Sequence, residues 1–328
     1  MQNHLVSVII PTYNRQNMIG NCIKSVINST YKNIEIIIVD NASTDDTLSV
    51  LETIKENSDV NMCIVSMAHN VMAAGGRNVG IMRACGEYLL FIDDDNEIYP
   101  DMIEMLVGEM EKDADVGLGA PLAFNNGRTW TTSISYNWWT SRCYDTFSEC
   151  VGKTESEVDS AFKEKYQTWA GSPNVFMVSR RAIEAVGGLD FSMYMTFEES
   201  DFACRILRAG FTEYIYTKPR TNHLGWIRDE ENTRLRQLCL EPANRAYYFC
   251  RNRTVFMKRY ARWYHLITYY LFFFHFFWVY YAFNALREGR RDIARAVIRG
   301  AFVGLFVRND TRIRIPIVET DYSINKIF

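Results

Sequence analysis

The first 120 residues alternate short β-branched runs with segments of helical periodicity, and this alternation restricts the possible folds more than any other feature of the chain. The runs with the composition of buried strands are LVSVII (5–10), IEIIIV (34–39), MCIVSM (62–67) and YLLFI (88–92). A strand–helix–strand–helix order is typical of a parallel sheet covered by helices on both faces. The sequence therefore predicts an α/β fold with a doubly wound, mostly parallel central sheet.

Three helices are predicted between these strands. The first has one apolar face, formed by Ile19, Cys22, Ile23, Val26 and Ile27. The second is expected to begin near Thr44, where Ser43, Thr44 and Asp45 offer capping side chains. The third is expected to begin near Ala73 and to lead into the strand YLLFI.

Each predicted strand is followed by a loop with its own chemistry. The loops are PTYNR (11–15), DNASTDD (40–46), HNVMAAGGRN (69–78) and DDDNE (93–97). In parallel sheets such loops open at the carboxyl edge, where ligands bind near the point at which the strand order reverses. Together they bring a proline-fixed turn, an acid with amides and hydroxyls, a Gly-Gly-Arg segment and an acidic triplet to one edge. Those groups suit a nucleobase, a ribose, a diphosphate and a divalent cation, respectively.

The acidic triplet Asp93, Asp94 and Asp95 needs a partner, because neighbouring carboxylates repel one another unless a cation neutralises them. A calcium-binding loop is a competing interpretation, since acids recur at the required positions. Ile98 stands where that loop needs glycine, which argues against it. The other loops have simpler interpretations as a turn, a helix cap or a surface segment. GGRN also lacks both the G-x-G-x-x-G spacing and the ending of a P-loop.

Composition limits the class of protein further. The chain has 328 residues, a formal net charge of -3 and eight cysteines without a C-x-x-C pair. The small net charge argues against a nucleic-acid partner, and the cysteine spacing argues against a zinc site or a disulfide framework. The amino-terminal apolar run is too short for a signal peptide, so we expect synthesis and residence in the cytosol.

Five motifs follow one another across about residues 5 to 225: VSVIIPTYNR, VDNASTDDT, GGRNVGI, FIDDD and VGGLDFSMYMTFEESDFACRILRAGF. In this order they resemble the motifs of family 2 glycosyltransferases, which are inverting enzymes with the GT-A fold. The resemblance implies a nucleotide-sugar donor with a uridine or thymidine base. It also implies a Mg²⁺ or Mn²⁺ ion bound at the D-x-D element.

The resemblance assigns roles to individual residues. The donor-binding residues that it implies are Pro11, Thr12, Tyr13, Arg15, Asp40, Asn41, Ser43, Arg77, Asp93 and Asp94. Of these, Asp40 would face the edge of the base, and Arg77 would lie near the nucleotide. Asp95 would carry the metal ion together with Asp93, and His223 would complete its coordination. A lone histidine is more often structural than a metal ligand, so both roles stay open for His223.

The resemblance also implies a general base, which takes the proton of the acceptor hydroxyl in an inverting reaction. The family places it in a Glu-Asp pair at the start of a helix, and the corresponding pair here is Glu198-Glu199, followed by Asp201. Glu199 and Asp201 are therefore the two candidates, and we favour Glu199. Only one can reach the acceptor, because positions i and i+2 of a helix face different ways. The segment also has the pattern of an amphipathic helix with Phe202 and Ile206 on its buried face, and both interpretations can hold.

The final third contains an uncharged aromatic segment, LITYYLFFFHFFWVYYAFNAL (266–286). Its length permits a transmembrane helix, but its tyrosines and tryptophan favour the membrane interface. Basic residues flank it on both sides, namely Arg251, Arg253, Lys258, Arg259 and Arg262 before it and Arg287, Arg290, Arg291, Arg295 and Arg299 after it. We therefore expect a helix lying in the cytoplasmic leaflet, followed by a second amphipathic helix, DIARAVIRGAFVGLF. A buried helix of a soluble protein is the alternative.

These observations lead to one hypothesis. Residues 1–120 would form the nucleotide-sugar-binding half of a GT-A domain, 121–228 its acceptor-binding and catalytic-base half, and 229–328 a helical membrane anchor. The protein would transfer a sugar from a UDP- or dTDP-sugar to a lipid-linked saccharide, a polyprenyl phosphate or a glycan. It would act at the cytoplasmic face of the membrane as a peripheral or monotopic protein. Aromatic residues with adjacent hydroxyls in 121–172 suit such an acceptor, and they equally suit a packed subdomain.

Two other functions were weighed against this hypothesis. The first is a non-catalytic nucleotide-sugar or glycan-binding protein, which would be expected to lack the candidate base. The second is a D-x-D phosphatase, whose nucleophile motif normally ends the first strand. Glu97 occupies the position where that motif carries threonine.

Overall fold

The structure, a computed structural model, describes residues 3–169, 171, 174–224 and 233–317. The strands are β1 (Val6–Thr12), β2 (Ile34–Asp40), β3 (Met62–Ser66), β4 (Tyr88–Ile92), β5 (Asn96–Ile98), β6 (Val116–Asn125), β7 (Arg128–Thr131), β8 (Ile134–Asn137), β9 (Arg142–Asp145), β10 (Lys165–Gln167), β11 (Val175–Ser179) and β12 (Thr212–His223). The helices are α1 (Ile19–Ile27), α2 (Thr47–Glu56), α3 (Met72–Arg83), α4 (Met102–Glu111), α5 (Glu155–Ala161), α6 (Arg180–Val186), α7 (Glu198–Arg208), α8 (Arg234–Gln237), α9 (Ala243–Tyr260), α10 (Trp263–Thr268), α11 (Phe274–Arg287) and α12 (Arg291–Phe306). A π-helical turn, Tyr269–Phe273, joins α10 to α11.

Within the described residues, ten strands form one sheet in the order β10-β12-β6-β11-β4-β1-β2-β3, with β5 beside β12 and β7 beside β6. Strands β1 to β4 are parallel, and β11 is antiparallel to both of its neighbours. The predicted doubly wound, mostly parallel sheet is therefore confirmed. The strand order reverses between β1 and β4, so the loops after these two strands lie side by side at the carboxyl edge.

Side chains alternate between the two faces of the sheet, and each face has its own apolar core. Ile9 and Phe91 belong to the core covered by α3, α6 and α7. Ile10, which follows Ile9 in β1, and Leu90, which precedes Phe91 in β4, belong to the core covered by α1 and α4. This burial on both faces explains why the strands are continuous apolar runs.

The start of α2 differs from the expectation. It begins at Thr47 rather than near Thr44, because the Asp45 carboxylate accepts hydrogen bonds from the Thr47 amide at 3.1 Å and hydroxyl at 2.5 Å. The residues before it are held in a loop by contacts with the β1 loop. The third helix begins at Met72, one residue before the expected position.

The carboxy-terminal helices α9, α11 and α12 share a separate apolar core. Helix α12 approaches α9 closely at two glycines: a Cβ on Gly300 would lie 2.2 Å from the Tyr247 carbonyl oxygen, and one on Gly304 would lie 2.7 Å from that of Arg251. The second amphipathic helix is thus present, and it packs on α9.

Both halves of the predicted GT-A domain supply strands to one sheet. The domain boundaries at 120 and 228 stay a prediction.

Of the basic residues before the aromatic segment, Arg262 is exposed, but the interpretation of the other four as a membrane-facing flank was wrong. Arg253 and Arg259 are buried, and Arg251 and Lys258 are half-buried. The Lys258 ammonium donates to the carbonyls that end α12, those of Gly304, Leu305 and Val307. These cations point into the fold because they have partners there that the linear sequence does not reveal.

A glycine turn joins α6 to the segment before α7, and the end of the described chain returns to it. Gly187 has a φ of +72°, and a Cβ at this position would lie 1.8 Å from the Ile315 carbonyl oxygen. The Ile315 amide donates to the Val186 carbonyl at 2.8 Å, and the Ile315 carbonyl accepts from the Gly188 amide at 3.0 Å. Only glycine permits both this φ and this approach.

Candidate active site

The loops after β1 and β2 are tied together by hydrogen bonds and form one wall of the carboxyl edge. The Asn14 amide donates to the Ser43 hydroxyl at 2.9 Å, and the Asn14 side-chain oxygen accepts from the Thr44 amide at 2.8 Å. The structure thereby brings together the predicted nucleoside-pocket residues Pro11, Thr12, Tyr13, Arg15, Asp40, Asn41 and Ser43. Tyr13 is exposed, whereas Asp40 and Asn41 are buried.

The glycine pair of GGRN lets α3 approach this wall. A Cβ on Gly76 would lie 2.9 Å from the Pro11 Cβ and 3.1 Å from the Asn41 Nδ2. The glycines therefore serve close packing of helix on loop, in agreement with the absence of a phosphate-cradle spacing. This packing brings the next residue, Arg77, into the site.

The three acids of the triplet diverge, and each has a different partner. The Asp93 carboxylate accepts from Arg77 Nη2 at 2.6 Å, and Asp94 accepts from Arg15 Nε at 3.2 Å. An oxygen of Asp95 lies 3.6 Å from His223 Nε2. The triplet thus connects the nucleoside wall, the α3 arginine and the end of β12.

Burial makes two of these acids costly to ionise. It raises the pKa of Asp94 to about 6 against the opposing effect of Arg15. Burial, together with the neighbouring Asp93 carboxylate, raises the pKa of Asp95 to about 6. A cation at this position would relieve both effects, since it favours the charged carboxylates.

The surroundings of His223 favour its neutral form. Its ring stacks on Trp130 with centroids 4.1 Å apart, and burial lowers its pKa, which favours the neutral imidazole that binds metals. Within the described part of the chain, its buried Nδ1 has no hydrogen-bond partner. Trp130 was not singled out from the sequence, although it lies in the aromatic segment assigned to the acceptor region.

Asp95 and His223 together fit a divalent cation. They offer a hard carboxylate oxygen and an imidazole nitrogen, and Mg²⁺ or Mn²⁺ commonly takes only one or two protein ligands and completes its shell with phosphate and water. In the described residues no group of three or more His, Cys, Asp or Glu side chains is placed to hold a metal ion, so the protein would supply two ligands at most from this pair. The arrangement therefore suits a metal that binds together with a phosphate-bearing ligand.

Arg77 joins the triplet to the candidate base. Its guanidinium is almost fully buried, and Nη2 lies 2.6 Å from the Asp93 carboxylate and 2.7 Å from that of Glu199. Across the residues that the structure describes, its Nε and Nη1 have no hydrogen-bond partner. The sequence motifs placed Arg77 near the nucleotide but gave no sign of its contact with Glu199, because that contact joins two distant motifs.

Glu199 titrates near neutrality. Burial raises its pKa to about 7, Arg77 opposes that effect, and Asp93 and Glu198 add to it. A carboxyl group with such a pKa suits general-base catalysis near neutral pH. Helix α7 also buries Phe202 and Ile206, as its amphipathic pattern predicts.

Asp201 lies in a different environment from Glu199. Its fully buried carboxylate accepts from Arg205 Nε at 2.9 Å, from Arg259 Nη1 at 2.8 Å and from the Tyr260 hydroxyl at 2.7 Å. These donors enclose both of its oxygens. The structure therefore brings Glu199, and not Asp201, into contact with Arg77.

A family model described as glycosyl transferase family 2 matches residues 7–185, which is more than half of the chain. The chain belongs to glycosyl transferase family 2. This confirms the resemblance drawn from the motifs. The triplet also follows β4 rather than the first strand, unlike the phosphatase motif.

The curated relatives of this family 2 glycosyltransferase match it over only part of their own length. Glycosyltransferase GlyG of Streptococcus pneumoniae is 36% identical over 118 residues, which cover 36% of this chain and 39% of GlyG. The GalNAc(5)-diNAcBac-PP-undecaprenol beta-1,3-glucosyltransferase of Campylobacter jejuni is 35% identical over 102 residues, which cover 31% of this chain and 33% of that enzyme. The match thus spans about a third of these relatives.

Solved structures confirm the GT-A fold of this family 2 glycosyltransferase. GalNAc-T7 with UDP, GalNAc and Mn²⁺ gives a TM-score of 0.56 at 18% identity, covering 76% of this chain and 51% of that one. Mannosyltransferase PcManGT of Pyrobaculum calidifontis, in complex with GDP-Man and Mn²⁺, gives a TM-score of 0.55 at 17% identity. The match covers 92% of this chain and 87% of PcManGT. At such identities the likeness shows the fold alone.

Proposed function

We propose that this enzyme is an inverting glycosyltransferase that uses a UDP- or dTDP-sugar and a divalent cation, and that it glycosylates a lipid-linked or glycan acceptor at a membrane surface. The observation that carries the proposal is the bridge from Asp93 through Arg77 to Glu199. It links the acidic triplet at the donor side to a carboxyl group with a pKa of about 7. Inversion needs such a base on the acceptor side.

The nucleoside half of the donor would bind between the loops after β1 and β2. Asp40 and Asn41 are buried there, and the Asn41 Oδ1 has no hydrogen-bond partner among the described residues. A nucleobase edge could supply the missing donor. UDP in GalNAc-T7 and GDP-Man in PcManGT give independent support for a nucleotide-sugar donor in this fold.

Asp95 and His223 would hold Mg²⁺ or Mn²⁺, which as a Lewis acid would stabilise the charge of the departing diphosphate. Arg77 fixes the Glu199 carboxylate, and Glu199 accepts the proton of the acceptor hydroxyl as that oxygen attacks. The Arg77 guanidinium also adds positive charge beside Asp93 for the negatively charged groups of the donor. Asp201 would have a structural role.

Asp95→Asn is expected to lower sugar transfer at least about 100-fold, because the variant loses the charged metal ligand. The fold should remain intact, and thermal stability at pH 7 should stay equal or rise, since a carboxyl group with a raised pKa costs stability once it is ionised. The measurement is release of the nucleoside diphosphate from a panel of UDP- and dTDP-sugars with Mn²⁺ or Mg²⁺. Asp59→Asn, at an exposed loop position, is the control. Full activity of Asp95→Asn in the presence of a chelator would contradict the metal assignment.

A membrane surface is the second part of the proposal. One helix in the described residues, Trp263–Arg287, is long and apolar enough to cross a membrane, and only 22% of its most apolar stretch is buried. One side packs against α9 and α12 through Tyr269, Phe274 and Tyr281. The large apolar side chains exposed on the same helix are Trp263, Ile267, Leu271, Phe272, Phe276, Val279, Phe283 and Leu286.

A helix with one packed side and one exposed apolar side supports a position in the membrane interface rather than a crossing of the bilayer alone. Basic residues that follow it, Arg287, Arg291, Arg295 and Arg299, are exposed and recur every four residues. They suit the anionic lipids of the cytoplasmic leaflet. The Campylobacter relative is named for an undecaprenol-linked acceptor, which supports a lipid-linked acceptor here.

The double variant Leu271→Glu and Phe276→Glu is expected to bind vesicles of phosphatidylglycerol and phosphatidylcholine at least about tenfold more weakly than the wild type. Both side chains are exposed, so the fold should tolerate the change. Flotation with the vesicles measures binding. The matched control is Met82→Glu with Met105→Glu, which places two acids at exposed apolar positions outside this helix. Equal flotation of both double variants would argue against the proposed surface.

A further inference from the structure

The turn that precedes the candidate base has an unusual backbone. Tyr194, Thr196 and Phe197 have φ values of 60°, 67° and 68°, and none of them is glycine. Side chains with a Cβ rarely adopt positive φ, and a β-branched residue such as threonine does so least readily. A turn of this kind persists only where the surrounding structure holds it.

Asn252 of α9 holds this turn. Its side chain is fully buried, and Nδ2 donates to the carbonyl oxygens of Met193 at 2.6 Å, Met195 at 3.0 Å and Thr196 at 3.0 Å. Arg251 fixes the orientation of that amide: its Nη1 donates to Asn252 Oδ1 at 2.6 Å and to the Ser192 carbonyl at 2.9 Å. Two adjacent residues of α9 thus bind four carbonyl groups of one turn.

Aromatic rings of α9 cover the rest of the turn. The rings of Tyr194 and Tyr248 stack with their centroids 4.7 Å apart, and the ring centroids of Phe197 and Phe256 lie 5.4 Å apart. On its other side, α9 packs on α12 at the two glycine contacts described above. The turn is therefore held by an element that is itself fixed from behind.

The turn leads directly into the catalytic helix. Phe197 precedes α7, its carbonyl accepts the first helical hydrogen bond from the Asp201 amide at 2.8 Å, and Glu199 lies two residues beyond it. Any change in the φ angles of the turn would alter the direction of this first helical turn, and with it the distance from Glu199 to Arg77. We propose that Asn252 is a positioning residue for the general base, which makes the carboxy-terminal helices part of the active site; this inference rests on the proposed role of Glu199.

Asn252→Ala is expected to lower kcat by about 10- to 100-fold while the KM for the nucleotide sugar and the affinity for UDP with Mn²⁺ stay unchanged. The substrate is the UDP- or dTDP-sugar that the wild type turns over in the panel, and calorimetry measures UDP binding. Asn284→Ala is the matched control. Asn284 is another buried asparagine of the helical region, but among the described residues its side-chain amide donates only to the Tyr280 carbonyl, within its own helix. This control should lose stability and keep kcat.

A second substitution should rescue the first. Adding Thr196→Gly to Asn252→Ala removes the cost of positive φ at the most restricted position, so the turn regains its shape and kcat recovers most of the loss. A general loss of stability would not be repaired in this way. If Asn252→Ala fails to fold, Arg251→Met replaces it as the test. Arg251→Met removes the hydrogen bond that orients the Asn252 amide, and Arg251 is only half-buried, so the fold should tolerate the change.

Amide hydrogen exchange of residues 194–199 gives a readout that does not depend on catalysis. Exchange there should accelerate in Asn252→Ala and remain unchanged in Asn284→Ala. Unchanged exchange and unchanged kcat in Asn252→Ala, or an equal fall of kcat in both variants, would overturn the inference. A wild type that turns over none of the nucleotide sugars would instead reject the proposed function, while the exchange data still decide whether Asn252 holds the turn.

Discussion

Glu199→Gln is expected to lower sugar transfer by about 10²- to 10⁴-fold while donor binding and the fold are retained. Glutamine has the size of glutamate but cannot take a proton from the acceptor hydroxyl, so the loss should appear in kcat and kcat/KM together. The contact with Arg77 can persist in part, because the amide oxygen still accepts from Nη2. Arg77 also keeps its contact with Asp93.

The pH dependence of the reaction tests the same residue. A carboxyl group with a pKa raised to about 7 is mostly protonated below that pH and cannot act as a base there. The wild-type kcat should therefore rise as the pH increases through about 7, and this rise should be absent in Glu199→Gln. Glu184→Gln, an exposed position on α6, is the control and should keep both the rate and the profile. Wild-type rates in Glu199→Gln would reject it as the base.

Asp201→Asn is expected to lower the free energy of unfolding by about 3–5 kcal/mol, because it leaves Arg205 buried without its charged partner and removes one of the two carboxylates that pair with Arg259. Urea denaturation measures this loss. Transfer by the folded variant should stay measurable, since Asp201 does not contact Arg77 or Glu199. Arg259 also pairs with Asp190 at 2.6 Å, which should keep the helical region attached.

Asp292→Asn is the control for this prediction. It also removes a carboxylate paired with an arginine, Arg290, but on the exposed surface of α12, where solvent screens the pair and little change in stability should follow. A folded, fully stable Asp201→Asn variant without activity would reverse the roles assigned to the two acids. Equal stability losses in both variants would show that burial of the ion pair does not determine the loss of unfolding free energy.

Much of the fold could be predicted because its determinants are local. The runs that became β1 to β4 alternate with helical segments, and parallel pairing then places all their loops at one edge. The predicted nucleoside residues meet there for that reason. The start of α2 was placed too early because the Asp45 carboxylate binds the Thr47 amide and hydroxyl at the first residue of the helix, and a cluster of several possible capping residues does not show where the helix begins.

The contacts between distant motifs could not be predicted in this way. Nothing in the spacing of GGRN or FEESD indicates that Arg77 bridges Asp93 and Glu199, since the bridge depends on how α3 and α7 meet in space. The same limit explains the error over the basic flank. Arg259 is one arginine among several in sequence, and only its contact with Asp201 and Asp190 distinguishes a buried structural cation from one that faces lipid.

The return of Ile315 to the glycine turn bears on how such an enzyme could evolve. Among its contacts with the catalytic half, the helical region makes three that were described above: through Asn252 at the turn, through Arg259 at Asp201, and through Ile315 at Gly187 and Gly188. A helical region borrowed from another protein would have to supply all three at once. The two halves of this chain are therefore expected to change together over time, and recombination at residue 228 should rarely produce a working enzyme.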